Sequence, residues 1–241
     1  MRALKAQVRA ELSMTLKRGE SLLLILAIPL VLLVFFSKVH VISTKGSPVE
    51  FFTPGILALA VMSSAMVNLA IATGFERSTG VLKRLGGTPL RRWQLLGAKF
   101  AAVALLELVQ TGLVLGLGAV LGWSASGDAG LVVAGVIVGS CAFAGLGMLM
   151  AGTLGAYTTL ALANGLYLVL LLLGGMVVPL HDLPSQLADV ARVLPSAALS
   201  QVLRGALETT RAGFPLSAWV TLLIWAVVAP LLASLSFKWD P

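Results

Sequence analysis

Glu107 is the only acid well inside a long apolar run of this 241-residue chain. A charge at such a position is costly and is retained where it has work to do. Gln110 and Thr111 follow it at three and four residues, the spacing of one helix face. A carboxyl, an amide and a hydroxyl on one face form a polar patch that could line a substrate path. The same groups could instead bond neighbouring helices together, with Asn68 and Asn164 as amide partners in other apolar runs. Glu107, Gln110, Asn68 and Asn164 are therefore the candidate path residues.

The second chemically loaded stretch is Gly74-Phe-Glu-Arg-Ser-Thr-Gly-Val-Leu-Lys-Arg-Leu-Gly-Gly-Thr-Pro-Leu-Arg-Arg-Trp-Gln94. It holds five of the seventeen Lys and Arg residues: Arg77, Lys83, Arg84, Arg91 and Arg92. A short basic segment between two apolar runs marks the cytoplasmic side of a membrane. Its length and charge also suit a docking surface for a soluble partner. The plainer alternative is that its cations only anchor the loop to anionic lipid.

Other chemistry is missing. No Gly-x-x-x-x-Gly-Lys-Ser/Thr loop and no His-Glu-x-x-His occur. His40 and His181, the only histidines, fall in separate polar connections and make a poor metal pair. Cys141 is the sole cysteine, which excludes an intrachain disulfide and leaves it as a small packing residue. This pattern favours a conduit over an enzyme.

Composition agrees. The chain is 58% hydrophobic and 11% charged, with a mean hydropathy of +0.98, whereas a soluble domain carries about 25% charged residues. The net charge of +7 comes from bases that flank apolar runs, so it does not point to nucleic acid. A single all-α polytopic membrane domain over 1–241 is expected. Its six spans are Ser21–Ser37, Pro54–Phe75, Leu95–Leu121, Leu131–Met150, Tyr157–Pro179 and Leu216–Phe237. The first is read as a retained span, since no good cleavage site follows it. Its Pro29 needs a neighbouring helix to satisfy the backbone it frees.

With the N-terminus inside, twelve Lys and Arg fall on the cytoplasmic side. These are Arg2, Lys5, Arg9, Lys17, Arg18, the five of the loop, Lys99 and Lys238. Five fall outside: Lys38, Lys45, Arg192, Arg204 and Arg211. The bias places both termini in the cytoplasm. Lys99 is expected to snorkel to headgroups.

Residues 1–18 carry Leu4, Val8, Leu12 and Leu16 at a spacing of four among basic residues, the pattern of an interfacial helix. Residues 180–215 are expected to form an outer helical hairpin on, or dipping into, the membrane. Leu187, Val190, Ala191 and Leu194 would share one face of its first helix, with Asp182, Asp189 and Arg192 in water. Gly112/Gly116, Gly118/Gly122 and Gly135/Gly139 are spaced for close helix approach.

These pieces together resemble the ABC-2 family of transporter permeases, with daunorubicin-type drug-resistance permeases the nearest group. In the basic loop the resemblance rests on Glu76-Arg77, Gly80-Val-Leu82, Thr88-Pro89-Leu90 and Leu95-Leu-Gly-Ala-Lys99. Near the fifth span it rests on Leu173-Gly-Gly-Met-Val-Val-Pro179, Leu183-Pro184, Leu194-Pro195 and Leu203-Arg204-Gly205. The order of parts adds to it. Ser78 and Lys83 depart from the family pattern, which often carries acids there.

The resemblance implies an export complex of two permease and two ATPase subunits in the cell membrane, the permeases being identical or related. ATP and Mg would be held by the partner ATPase, with no cofactor in this chain. Segment 76–94 would contain the coupling helix, with Glu76, Arg77, Lys83 and Arg84 contacting the ATPase. Few fixed charges in the bundle favour an amphiphilic, lipid-like or drug-like cargo. On the residues alone, an ion-gradient-driven secondary transporter and a non-transporting scaffold stay open. The former would want more intramembrane carboxylates than Glu107.

Overall fold

Apolar backbone crossing hydrocarbon must bond to itself, and a helix does so residue by residue. The computed structural model describes residues 2–17, 19–39, 47–86, 92–124, 127–207 and 214–238. Arg18, His40, Lys45, Thr88-Pro89-Leu90, Arg91 and Arg211 lie outside the described residues, as does all of 208–213. Within the described residues the fold is all-α, with no strand.

In chain order the helices are α1 (Arg2–Lys17), α2 (Gly19–Lys38), α3 (Pro48–Met62), α4 (Leu69–Ser78), α5 (Val81–Gly86) and α6 (Arg92–Val120). There follow α7 (Ala129–Thr153), α8 (Ala156–Leu173), α9 (Ser185–Val193), α10 (Pro195–Leu207) and α11 (Leu216–Ser236). A π-helical turn, Ser63–Asn68, joins α3 to α4 without a break. Five stretches are long and apolar enough to cross a membrane: Pro48–Ser78, Leu96–Val120, Ala129–Thr153, Ala156–Leu173 and Leu216–Ser236. The apolar part of α2, Leu23–Lys38, is shorter.

The α3–π–α4 rod and α7 are the centre of the bundle, with 72% and 56% of their apolar windows buried, against 22–28% for α6, α8 and α11. Each peripheral helix turns a row of large apolar side chains outward, such as Leu223, Val227 and Leu231 on α11. In water this would be an aggregation surface; in lipid it is the expected outer wall.

Pro29 lies inside α2 and has no N–H for the carbonyl four residues back, that of Ile25. Gln110 of α6 supplies the donor, with Nε2 3.0 Å from Ile25 O. Its Oε1 accepts from Ser64 of the π turn at 2.5 Å. One amide thus ties three helices and satisfies the carbonyl orphaned by the proline.

Two expectations are corrected at the other end. The run Tyr157–Pro179 is not one helix. It stops at Leu173, and Gly175 at φ +64° turns the chain, a conformation that suits a residue without a Cβ. Gly174, Gly175, Met176 and Pro179 are then buried. In the 180–215 segment, Leu187 and Val190 of α9 are 45% and 56% exposed, whereas Ala191, read on the same face, is buried with Ala188. Small residues sit inward because α9 lies close against its neighbours. Asp182, Asp189 and Arg192 are exposed as read from sequence, the last two paired at 3.1 Å. Helix α10 is a core element rather than a surface one: Pro195–Ser200, Val202, Leu203, Ala206 and Leu207 are buried.

Of the three glycine pairs, Gly135 and Gly139 do bring helices together, facing Val202 and Leu199 of α10. Gly112 and Gly116 face open space. A tighter helix–helix approach is one no pair pointed to: a Cβ at Gly145 of α7 would stand 2.4 Å from the backbone N of Pro230 in α11. Gly145→Ala should therefore cost about 1–3 kcal/mol, because the obstacle is backbone and cannot rotate away. Gly116→Ala should be neutral. Thermal stability of the two variants in detergent checks the contrast.

Candidate functional site

The basic loop and the base of the bundle meet at one end. Here the C-terminus of α4, the N-terminal half of α6 and the α1 helix converge on Lys99. Its Nζ is 2.5 Å from Glu76 Oε2 and 3.2 Å from Glu11 Oε1. Gln7 Nε2 donates to the same Glu11 Oε1 at 3.1 Å. The Lys99 side chain is 3% exposed and both carboxylates about 10%. Lys99 does not reach for headgroups, as its position near a span end suggested. Helix α1 packs across α6 and places Glu11 over it, so a paired interior site replaces the route to the surface. Such a network gains little net stability, yet losing one member strands the others.

Glu76 and Arg77 are buried, 8% and 7% exposed, whereas Lys83 and Arg84 are exposed. Arg77 donates from Nη2 to the carbonyl of Leu154 at 2.5 Å. That carbonyl belongs to the C-cap of α7, where a cation also complements the helix dipole. Phe75 meets Tyr157 edge to face at 5.5 Å, closing α4 onto α8. Beyond it Gly80, at φ +71°, turns the chain into α5. Leu82 is buried and pins α5 to the body, so Lys83 and Arg84 point away from it. The four coupling candidates thus divide into two internal links and two surface cations.

The path candidates do not converge. Glu107 is 1% exposed and accepts from Ser140 of α7 through Oε2, not from Asn68 or Asn164. Thr111 shares its cleft, while Gln110 is turned to α2. Asn68 is half-buried at the end of the π turn, beside a small cavity of about 40 Å³ with Glu11 and Lys99 in its wall. Asn164 is exposed on α8 and bonds only its own helix, Leu160 O, at 2.8 Å.

Two anchoring residues escaped the sequence reading. Glu11 is the one acid of α1, and a lone acid among bases on an amphipathic helix was the signal. Arg204 is the one charged residue of α10. Its Nη1 and Nη2 donate to the carbonyls of Phe51 (2.9 Å) and Gly175 (2.8 Å). Its guanidinium also lies 3.8 Å from the centre of the Phe51 ring. It clamps α10, the start of α3 and the Gly174-Gly175 turn.

Lys99→Met should lower stability by about 3–5 kcal/mol, since two buried carboxylates lose the cation they share. Adding Glu76→Gln should recover part of that loss. Arg204→Lys should also destabilise, because an ammonium cannot present the planar fork that reaches both carbonyls. Detergent-solubilised thermal melts of the four proteins test both statements.

Comparison with known proteins agrees with this architecture. Residues 37–237 match a family described as ABC-2 family transporter protein. The chain is also 26% identical over 229 residues to "Putative transport permease YvfS" of Bacillus subtilis (strain 168), covering 93% of this chain and 91% of that protein. With the match running from the end of α2 through α11, the chain belongs to the ABC-2 transporter family and is a multi-pass membrane permease component of an ABC transporter.

Proposed function

We propose that this permease is the membrane subunit of an ATP-driven exporter that moves an amphiphilic, lipid-like or drug-like substrate outward. ATP and Mg are bound by a separate ATP-binding subunit, and two permease chains, identical or related, complete the complex. The assembly sits in the cell membrane with both termini and the 76–94 segment in the cytoplasm, the orientation that the bias of Lys and Arg favours. Six crossings, with α2 as the first, follow from that orientation. Segment 180–215 then lies on the outer side.

The observation that carries this reading is the coupling of α5 to the bundle. Lys83 and Arg84 stand on a short exposed helix, and the helix before it is fixed inside by Glu76 to Lys99 and by Arg77 to the end of α7. A partner that displaces α5 therefore pulls on α4, α6, α1 and α7 together. ATP shifts the equilibrium of the permease only through the different contacts its ATPase makes with each state. Lys83 and Arg84 are suited to make those contacts. Glu76 and Arg77 are suited to transmit them from within.

Lys83→Glu with Arg84→Glu should lower transport per ATP hydrolysed by about tenfold, the effect of roughly 1.4 kcal/mol at the contact. Membrane insertion and yield should not change. Transport and hydrolysis would be measured together in liposomes holding the permease and its co-purified ATPase. An unchanged ratio would remove α5 from the coupling route. Transport that persists without ATP and collapses with the proton gradient would instead indicate a secondary transporter.

A further inference from the structure

Halfway along α6 the bundle has a cleft that no packing explains. It lies between α6 and α7, has a volume of about 380 Å³ and is almost wholly apolar. That size lies within the usual range for small-molecule sites, about 300–1,000 Å³. Its outer rim is Leu108, Val133 and Ile137, which are 71%, 51% and 56% exposed. It therefore opens sideways, through the wall that faces lipid.

Its floor carries the polar groups. Glu107 is 1% exposed, and Ser140 bonds Oε2. Its other oxygen, Oε1, has no partner, and neither has Oγ1 of Thr111 one turn away. Both residues line the cleft. Unmet buried polar atoms are uncommon, and two of them side by side in the wall of one open cleft are placed to meet a bound group. The nearest base along α6 is Lys99, roughly 12 Å away at 1.5 Å per residue, and it is already held by Glu11 and Glu76. Among the described residues no cation pairs with Glu107. The floor thus offers acceptors without a counter-charge, in a medium where a charge pair is far stronger than in water.

We infer that the α6–α7 cleft is a membrane-facing binding site for a cationic amphiphile, its ammonium held by Glu107 and Thr111 and its tail by Leu108, Val133 and Ile137. The head group brings the missing charge and the tail fills the apolar volume. Entry is lateral, from the bilayer. The site rests on α6 and α7 crossing the membrane and not on ATP coupling.

The test uses the full-length chain in phosphatidylcholine nanodiscs, without ATP or an ATPase. Saturable retention above empty nanodiscs is measured for tritiated n-dodecylammonium, n-dodecanol and dodecanoate. The wild type should bind the ammonium at least about tenfold more tightly than the alcohol, and the carboxylate least. Glu107→Gln keeps shape and the Ser140 bond, and should abolish the preference. Thr111→Val should weaken it, and Ala104→Trp, which fills the mouth, should remove binding. Bound ammonium should also slow alkylation of Cys141, the only thiol, which lines the cleft. Absent saturable binding, equal affinity for ammonium and alcohol, or an unchanged preference in Glu107→Gln would overturn the site while leaving the export reading intact. Loss of coupling in the α5 variant would leave this binding untouched.

Discussion

Within hydrocarbon no water is at hand to satisfy a polar group, and the polar contacts of this bundle follow from that constraint. Pro29 leaves the Ile25 carbonyl without a donor, and Gln110 crosses from α6 to supply one. The chain turn at Gly174-Gly175 leaves another carbonyl exposed inside the bundle, and Arg204 reaches it. Lys99, placed where its charge has no easy exit, gathers Glu76 and Glu11. Each contact also joins elements distant in sequence. The need to pair polar groups therefore fixes which helices touch, as much as apolar packing does.

The two ends and the middle of the bundle differ in how completely that need is met. At the basic end the pairings are internal and tie four helices into one unit. At the opposite end Arg204 and buried α10 lock the return of the chain. In the middle, Glu107 meets only half of its need, through Ser140, beside an open apolar cleft. That unmet carboxylate oxygen, with Thr111 Oγ1 beside it, faces the cleft and not a neighbouring helix.

Much of the architecture was legible from the chain alone. Apolar runs of span length, the placement of bases and the proline-punctuated segment after the fifth run gave the class and the order of parts. The reading failed where it inferred partners from position along one helix. Gln110 was put on the face of Glu107 because three residues separate them, yet it turns to α2, and only Thr111 keeps company with the acid. Lys99 was sent to the headgroups because it lies near a span end; Glu11, eighty-eight residues away, decides otherwise. Ala191 was read on one face with Leu187 and Val190, yet it turns inward with Ala188 while they stay exposed.

The sequence by itself determined that this is a helical membrane permease of a known family, and which of its segments is basic, because those properties depend on composition and local spacing. Only the tertiary structure decided which polar residues pair and which stand unpaired. That depends on the rotation of each helix about its axis and on contacts between residues far apart in the chain. A one-dimensional pattern leaves both undetermined when helices are apolar on every side.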